Sequence, residues 1–249
     1  MENNNNMEHK NTFMARRFMY IVGSLSLILA PLGVAVGWAL NYPSLSAFFT
    51  FDKFTPVYLL SGTSDSVTQF LATITSADGG FRLFLFPHYI IYATMPLFII
   101  VSLSLGYVLF KKAPWHALIG VAITSIGAVH FIGVLGAWLS FPAIANTPVD
   151  QLPNLLPVLT ALSTPGGALL ASTTLSIFVF LGMIILGFGF YKSGITPKWS
   201  AVLVIVGNIL ILAFAGIENF MAIGMLLTLI GLLPLSLGKL HRTQPEQQA

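Results

Sequence analysis

Long apolar runs alternate along this chain with short polar interruptions. Runs at about 18–40, 83–110, 115–141, 167–191, 199–216 and 218–237 each reach or approach the about 20 residues a helix needs to cross hydrocarbon. They predict an all-α integral membrane bundle of six transmembrane helices. The last two runs lie in one apolar stretch, which "AGIEN" at 215–219 interrupts with Gly216, Glu218 and Asn219. That interruption predicts a tight turn between two short spans. Pro31, Pro96 and Pro234 fall inside runs and predict kinks. In "TSDSVTQFLATITSADGG", Val67, Phe70, Leu71 and Ile74 recur at helical spacing. Ser64 suits the start of that helix and Gly79 its end, so an amphipathic helix is expected at the interface or over the bundle mouth. In 142–166, Pro153 and Pro157 break the leucine pattern into short turns.

Composition agrees with a lipid environment. Of 249 residues, 56% are hydrophobic and 8% charged, against roughly 25% charged in soluble domains. The mean hydropathy is +0.86. The chain has no cysteine, so disulfides, thiolate metal sites and thiol nucleophiles are excluded. No Walker loop, GxSxG elbow or HExxH pair occurs. A pI near 9.2 does not mark a nucleic-acid binder, because the basic residues are distributed by topology. With the N-terminus in the cytoplasm, Lys10, Arg16, Arg17, Lys111, Lys112, Lys192, Lys198, Lys239 and Arg242 fall inside, and only Lys53 and Arg82 fall outside. Both termini are then cytoplasmic, and the longer loops lie outside.

The domain reading is a disordered cytoplasmic tail over 1–15, one transmembrane domain over 16–241, and a second tail over 242–249. The run after Arg16 and Arg17 exceeds the roughly 7–15 apolar residues of a cleaved signal, so it should remain as the first span. Trp38, Trp115, Trp138 and Trp199 near span ends read as interfacial anchors. The cytoplasmic connections "KKAP" and "KSGITPK" are too short for a catalytic domain. "FKKAPWHALIGVAITSIG" and "YKSGITPKWSAVLVIVG" share an aromatic, a lysine, a proline and a tryptophan at the head of an outward span, as a parallel repeat of hairpins would.

"LGFGFYKSGITPKWSAVLVIVG", preceded by "GGALLASTTLSIFVFLG", resembles a bacterial membrane-protein family catalogued as domain of unknown function 4386. "ADGGFRLFLF" and "LGYVLFKK" at the ends of the second span are similar too, and the most specific feature is the turn Lys192–Pro197. The resemblance implies a six-span protein of the bacterial inner membrane and brings no activity or catalytic residues.

Ionisable and polar residues inside spans are costly, so each is a functional candidate. His88, Tyr92, His130, Thr173, Asn208 and Glu218 fall in or at the outer halves of the spans, with Arg82 at the outer interface. They suggest an outward-opening polar pocket with His130 as its floor. Small residues flank His130, with Gly127 and Gly133 three positions to either side, so a second helix or a ligand can come close. His130 also reads as interhelical hydrogen-bond glue, the commoner role of such a histidine, and Arg82 as an anchor or a partner for Glu218 or a ligand anion.

Haem is disfavoured because helix rise separates His88 and His130 in depth by roughly 8 Å at 1.5 Å per residue. Zinc is disfavoured because nothing in the spacing demands three convergent ligands. Catalytic residues are therefore unknown and no metal is assigned. The expected function is a non-enzymatic module that binds a small lipophilic ligand or lipid, or a subunit of a membrane complex. The alternative is a membrane-embedded hydrolase or quinone-linked oxidoreductase using His88, His130 and Glu218. Expected partners are membrane lipids, a small lipophilic ligand or another membrane subunit, and no nucleic acid.

Overall fold

A backbone crossing lipid must satisfy its own hydrogen bonds, which makes a helix of each apolar run. A computed structural model describes residues 2–42, 44–50, 84–145, 157, 161 and 167–239. Helices α1 (Glu2–Leu40), α2 (Leu45–Thr50), α3 (Phe86–Leu109), α4 (Pro114–Ala145), α5 (Ala168–Ser176), α6 (Phe178–Ser193), α7 (Lys198–Ala213) and α8 (Glu218–Pro234) follow one another, and a π-helical turn, Leu235–Lys239, closes the series. Among the described residues there is no strand.

Five stretches are long and apolar enough to cross a membrane: Tyr20–Leu40, Phe86–Leu109, Pro114–Ser140, Ala171–Ser193 and Glu218–Leu237. The fifth run of the sequence is shorter than expected, because α7 has 16 residues and ends at Ala213. It rises about 24 Å at 1.5 Å per residue, less than the roughly 30 Å of hydrocarbon.

Local chemistry sets the corners and breaks. Gly194 ends α6 in the left-handed region at φ 62° and Gly216 sits in the α7–α8 turn at φ 89°, conformations a Cβ resists. The fourth run is interrupted at Ile177. Thr173 donates its hydroxyl to the Leu169 carbonyl at 2.8 Å and Ser176 donates to the Thr173 carbonyl at 2.6 Å, back-bonding that loosens a helix. At the other end of the chain, α1 begins at Glu2, so the polar start expected as a disordered tail is helical. No glycine or proline precedes Gly23, and nothing in that segment stops a helix. The expected interfacial helix over 64–79 and nearly all of the broken turns over 142–166 lie outside the described residues; residues 142–145 continue α4.

The long helices form a closed ring. Each packs on the next in the order α1, α3, α4, α5–α6, α7, α8, and α8 returns to α1. Small residues give the register: Gly33 faces Thr94, Gly106 faces Val121, Gly127 meets the Phe178–Val179 backbone, Gly187 faces Ile205, and Gly207 faces Gly224. Every such pair is antiparallel, as in an up-and-down bundle whose helices associate by close packing. Leu25, Leu29, Leu32 and Val36 line the outside of α1, and Val202, Val206 and Ile209 that of α7, all exposed. This apolar exterior is what lipid requires.

The two ends of the ring differ. Lys111, Lys112, Lys192, Lys198 and Lys239 belong to helix ends and turns at one end. There α3 and α6 touch across the ring, with Gly189 against Leu109 and His116, and the lumen is filled. At the other end α2 folds over the bundle, where Tyr42 and Phe48 meet the start of α8.

Candidate functional site

At the end away from the lysines the ring encloses a cavity of about 160 Å³. All six segments of the ring line it: Trp38 from α1, His88 and Ile91 from α3, Phe131, Val134, Leu135 and Trp138 from α4, Thr173 to Phe180 in part, Ile211 and Leu212 from α7, and Glu218 and Met221 from α8.

His88 is fixed by its own chain. Pro87 lies in the first turn of α3, and His88 Nδ1 stands 2.6 Å from the carbonyl oxygen of Phe84. A carbonyl only accepts, so Nδ1 carries the proton and Nε2 keeps its lone pair. The Phe84 ring lies against the imidazole at 4.2 Å, and Trp138 meets it edge-on at 5.3 Å. With 2% of its surface exposed, His88 has no freedom to leave the lumen.

Glu218 opens α8, where the positive end of the helix dipole favours a negative charge. The side chain is 5% exposed, and Oε2 has no hydrogen-bond partner. Asn41 is its polar neighbour, yet neither amide atom of Asn41 makes a hydrogen bond. Asn219 anchors this corner. Its N–H donates to Tyr42 Oη at 3.2 Å and its Nδ2 to the Phe48 carbonyl at 3.1 Å. Burial pushes the Tyr42 phenol above 10.0, opposed by the Asn219 N–H and reinforced by the Glu218 charge.

The family model described as Domain of unknown function (DUF4386) matches residues 53–240. The chain belongs to this family. No curated protein and no solved structure matches it. The likeness read from the Lys192–Pro197 turn is borne out, and the match runs from residue 53, ahead of α3, through the π-helical turn after α8, leaving α1 and α2 outside.

In this DUF4386 member, the cavity gathers three of the residues singled out in the sequence: His88, Thr173 and Glu218. Tyr92, His130 and Asn208 are elsewhere, and Arg82 lies outside the described residues. Tyr92 faces outward with 38% exposure. Asn208 is buried in the α7–α8 seam, donating to the Val204 carbonyl at 2.8 Å and to Thr228 Oγ1 at 3.1 Å. His130 is half-buried beside the exposed Ile126, Val129 and Gly133. The floor expected of it falls to Phe131, because the inward stripe of α4 is Phe131, Val134, Leu135 and Trp138. The grouping of His88, His130 and Glu218 in one site is therefore not formed. Among the described residues no three His, Cys, Asp or Glu side chains gather as a metal site.

Sequence reasoning missed the aromatic wall. Trp38 and Trp138 were read as interfacial anchors, but both line the cavity and Trp38 is 4% exposed. The signal was present: positions 131, 134, 135 and 138 follow i, i+3, i+4, i+7 with larger side chains than the stripe through His130.

Proposed function

We propose that this multi-pass membrane protein is a non-enzymatic binding module of the bacterial inner membrane that holds a small lipophilic molecule in the end of its lumen. The observation that carries the reading is the buried Glu218 carboxyl with an unpartnered oxygen in the wall of a mostly apolar cavity that is also lined by an imidazole whose Nε2 keeps its lone pair. A buried carboxyl oxygen without a partner is costly, and in a membrane ionisable groups mark ligand or ion paths. A cavity of about 160 Å³ compares with the roughly 150 Å³ apolar cavities that take up a benzene-sized guest. Among the described residues the wall contains no Lys or Arg and no group of metal-ligating side chains, and its lining is mostly apolar, which supports binding.

The same proposal includes orientation. Lysines gathered at the filled end support that end as cytoplasmic, with the cavity facing outward and both termini inside. The position of α7, packed antiparallel between α6 and α8 along its length, supports a sixth crossing despite its 16 residues.

Native mass spectrometry of the detergent-purified chain tests the reading. A bound mass is expected in the wild type and in His130→Leu, and is expected to vanish in His88→Leu and Glu218→Gln. Equal occupancy in all four forms, or an empty wild type, would overturn it.

A further inference from the structure

The polar groups of the cavity wall share one character, which follows from where their hydrogens go. The proton on His88 Nδ1 is engaged by the Phe84 carbonyl, leaving a lone pair. The hydroxyl hydrogens of Thr173 and Ser176 are engaged by the carbonyls of Leu169 and Thr173, leaving oxygens that only accept. Glu218 is a carboxyl with an unpartnered oxygen. The remaining side-chain donors are the indole N–H groups of Trp38 and Trp138, and the second is buried without a partner. Among the side chains of the wall, acceptors thus outnumber donors.

Its apolar part has the same sign. Trp38, Phe131, Trp138 and Phe180 all line the cavity. Trp38 and Phe180 stand 6.3 Å apart between ring centres, and Phe131 and Phe180 6.2 Å. Aromatic faces carry negative potential and attract ammonium groups, most strongly when water is excluded. Among the described residues no Lys or Arg lines the cavity to balance Glu218.

Resting on the binding reading above, we infer that the ligand is an organic cation: a compact alkylated ammonium held against the Trp38, Phe131, Trp138 and Phe180 rings with Glu218 as its counter-charge. An ammonium supplies the positive partner that the carboxyl lacks among the described residues, and its N–H or polarised C–H groups meet the lone pairs of His88, Thr173 and Ser176. A neutral or anionic guest of the same size would leave Glu218 unmatched. Anions are disfavoured further by the rings themselves.

The test compares choline with dimethylbutanol, its uncharged carbon isostere, by isothermal titration into the full chain in detergent. The wild type is expected to prefer choline at least about ten-fold, the size of a desolvated cation–π contact with a charge partner. Glu218→Gln is expected to bring the two probes to near parity while dimethylbutanol binding persists. Phe131→Leu keeps the wall apolar and is expected to lower choline binding about five-fold with little change for the alcohol. Equal binding of both probes to the wild type would overturn the cation and leave the pocket standing. Binding of neither probe would overturn the cation, and the pocket too if nothing co-purifies with the protein.

Discussion

Replacing Gly224 by Ala tests one of the close helix contacts on which the ring depends. A Cβ at Gly224 would stand 2.5 Å from the Gly207 carbonyl oxygen and 2.7 Å from Ile211 Cγ1. Non-bonded atoms rest at about 3.5 Å, so α7 and α8 must part by about 1 Å. Neither neighbour can step aside: one is backbone, and Ile211 is fully buried. Parting would also stretch the Asn208–Thr228 bond, now 3.1 Å, and the bond from Ser200 to the Gly231 carbonyl. Overpacking of this kind costs about 1–3 kcal/mol, and loosened interhelical bonds about 0.6 kcal/mol each. The better helix propensity of Ala returns about 0.5–1 kcal/mol. The expected net loss is about 1–3 kcal/mol, read from reversible unfolding in mixed micelles as detergent denaturant is titrated. Gly133→Ala is the control, since a Cβ there meets nothing within 4 Å. It should be neutral or slightly stabilising. If both variants unfold at the same denaturant fraction, the close Gly207–Gly224 contact is refuted.

Two further outcomes follow from other parts of the ring. The folded pKa of Tyr42 lies above its unfolded value of 10.0, so the stability it contributes is present below about pH 10 and is lost as pH rises through the raised pKa; stability should fall more steeply on the alkaline side in wild type than in Tyr42→Phe, and equal slopes would contradict this. Because the chain has no cysteine, single substitutions at the exposed Ser46, Lys112, Lys198 and Ala215 report sidedness to a membrane-impermeant maleimide on intact cells. Labelling at 46 and 215, with 112 and 198 reactive only after lysis, is expected; 198 and 215 reacting alike, both on intact cells or both only after lysis, would refute the crossing by α7.

The sequence by itself determined the membrane class, the approximate spans, the "AGIEN" turn and the family likeness. These rest on signals that are local or nearly so: apolar run length against bilayer thickness, a glycine where the chain must turn, and a short motif. His88 and Glu218 were legible for the same reason, because an ionisable residue in an apolar run stands out whatever surrounds it. His130 stood out equally, yet it lies on the flank of α4. Which side of a helix faces the lumen is decided by its neighbours, and in a bundle apolar on all sides no amphipathic stripe announces it. The α4 stripe that faces inward is the bulky one, because Phe131 and Trp138 fill space that α5–α6 and α3 leave at that end. Only the tertiary structure closed α8 onto α1, filled one end of the ring with α3 and α6, and left the other end hollow. It also decided the chemistry of the hollow, since whether a hydroxyl or an imidazole N–H is free or engaged depends on a carbonyl within about 3 Å. No spacing in the sequence carries that distance.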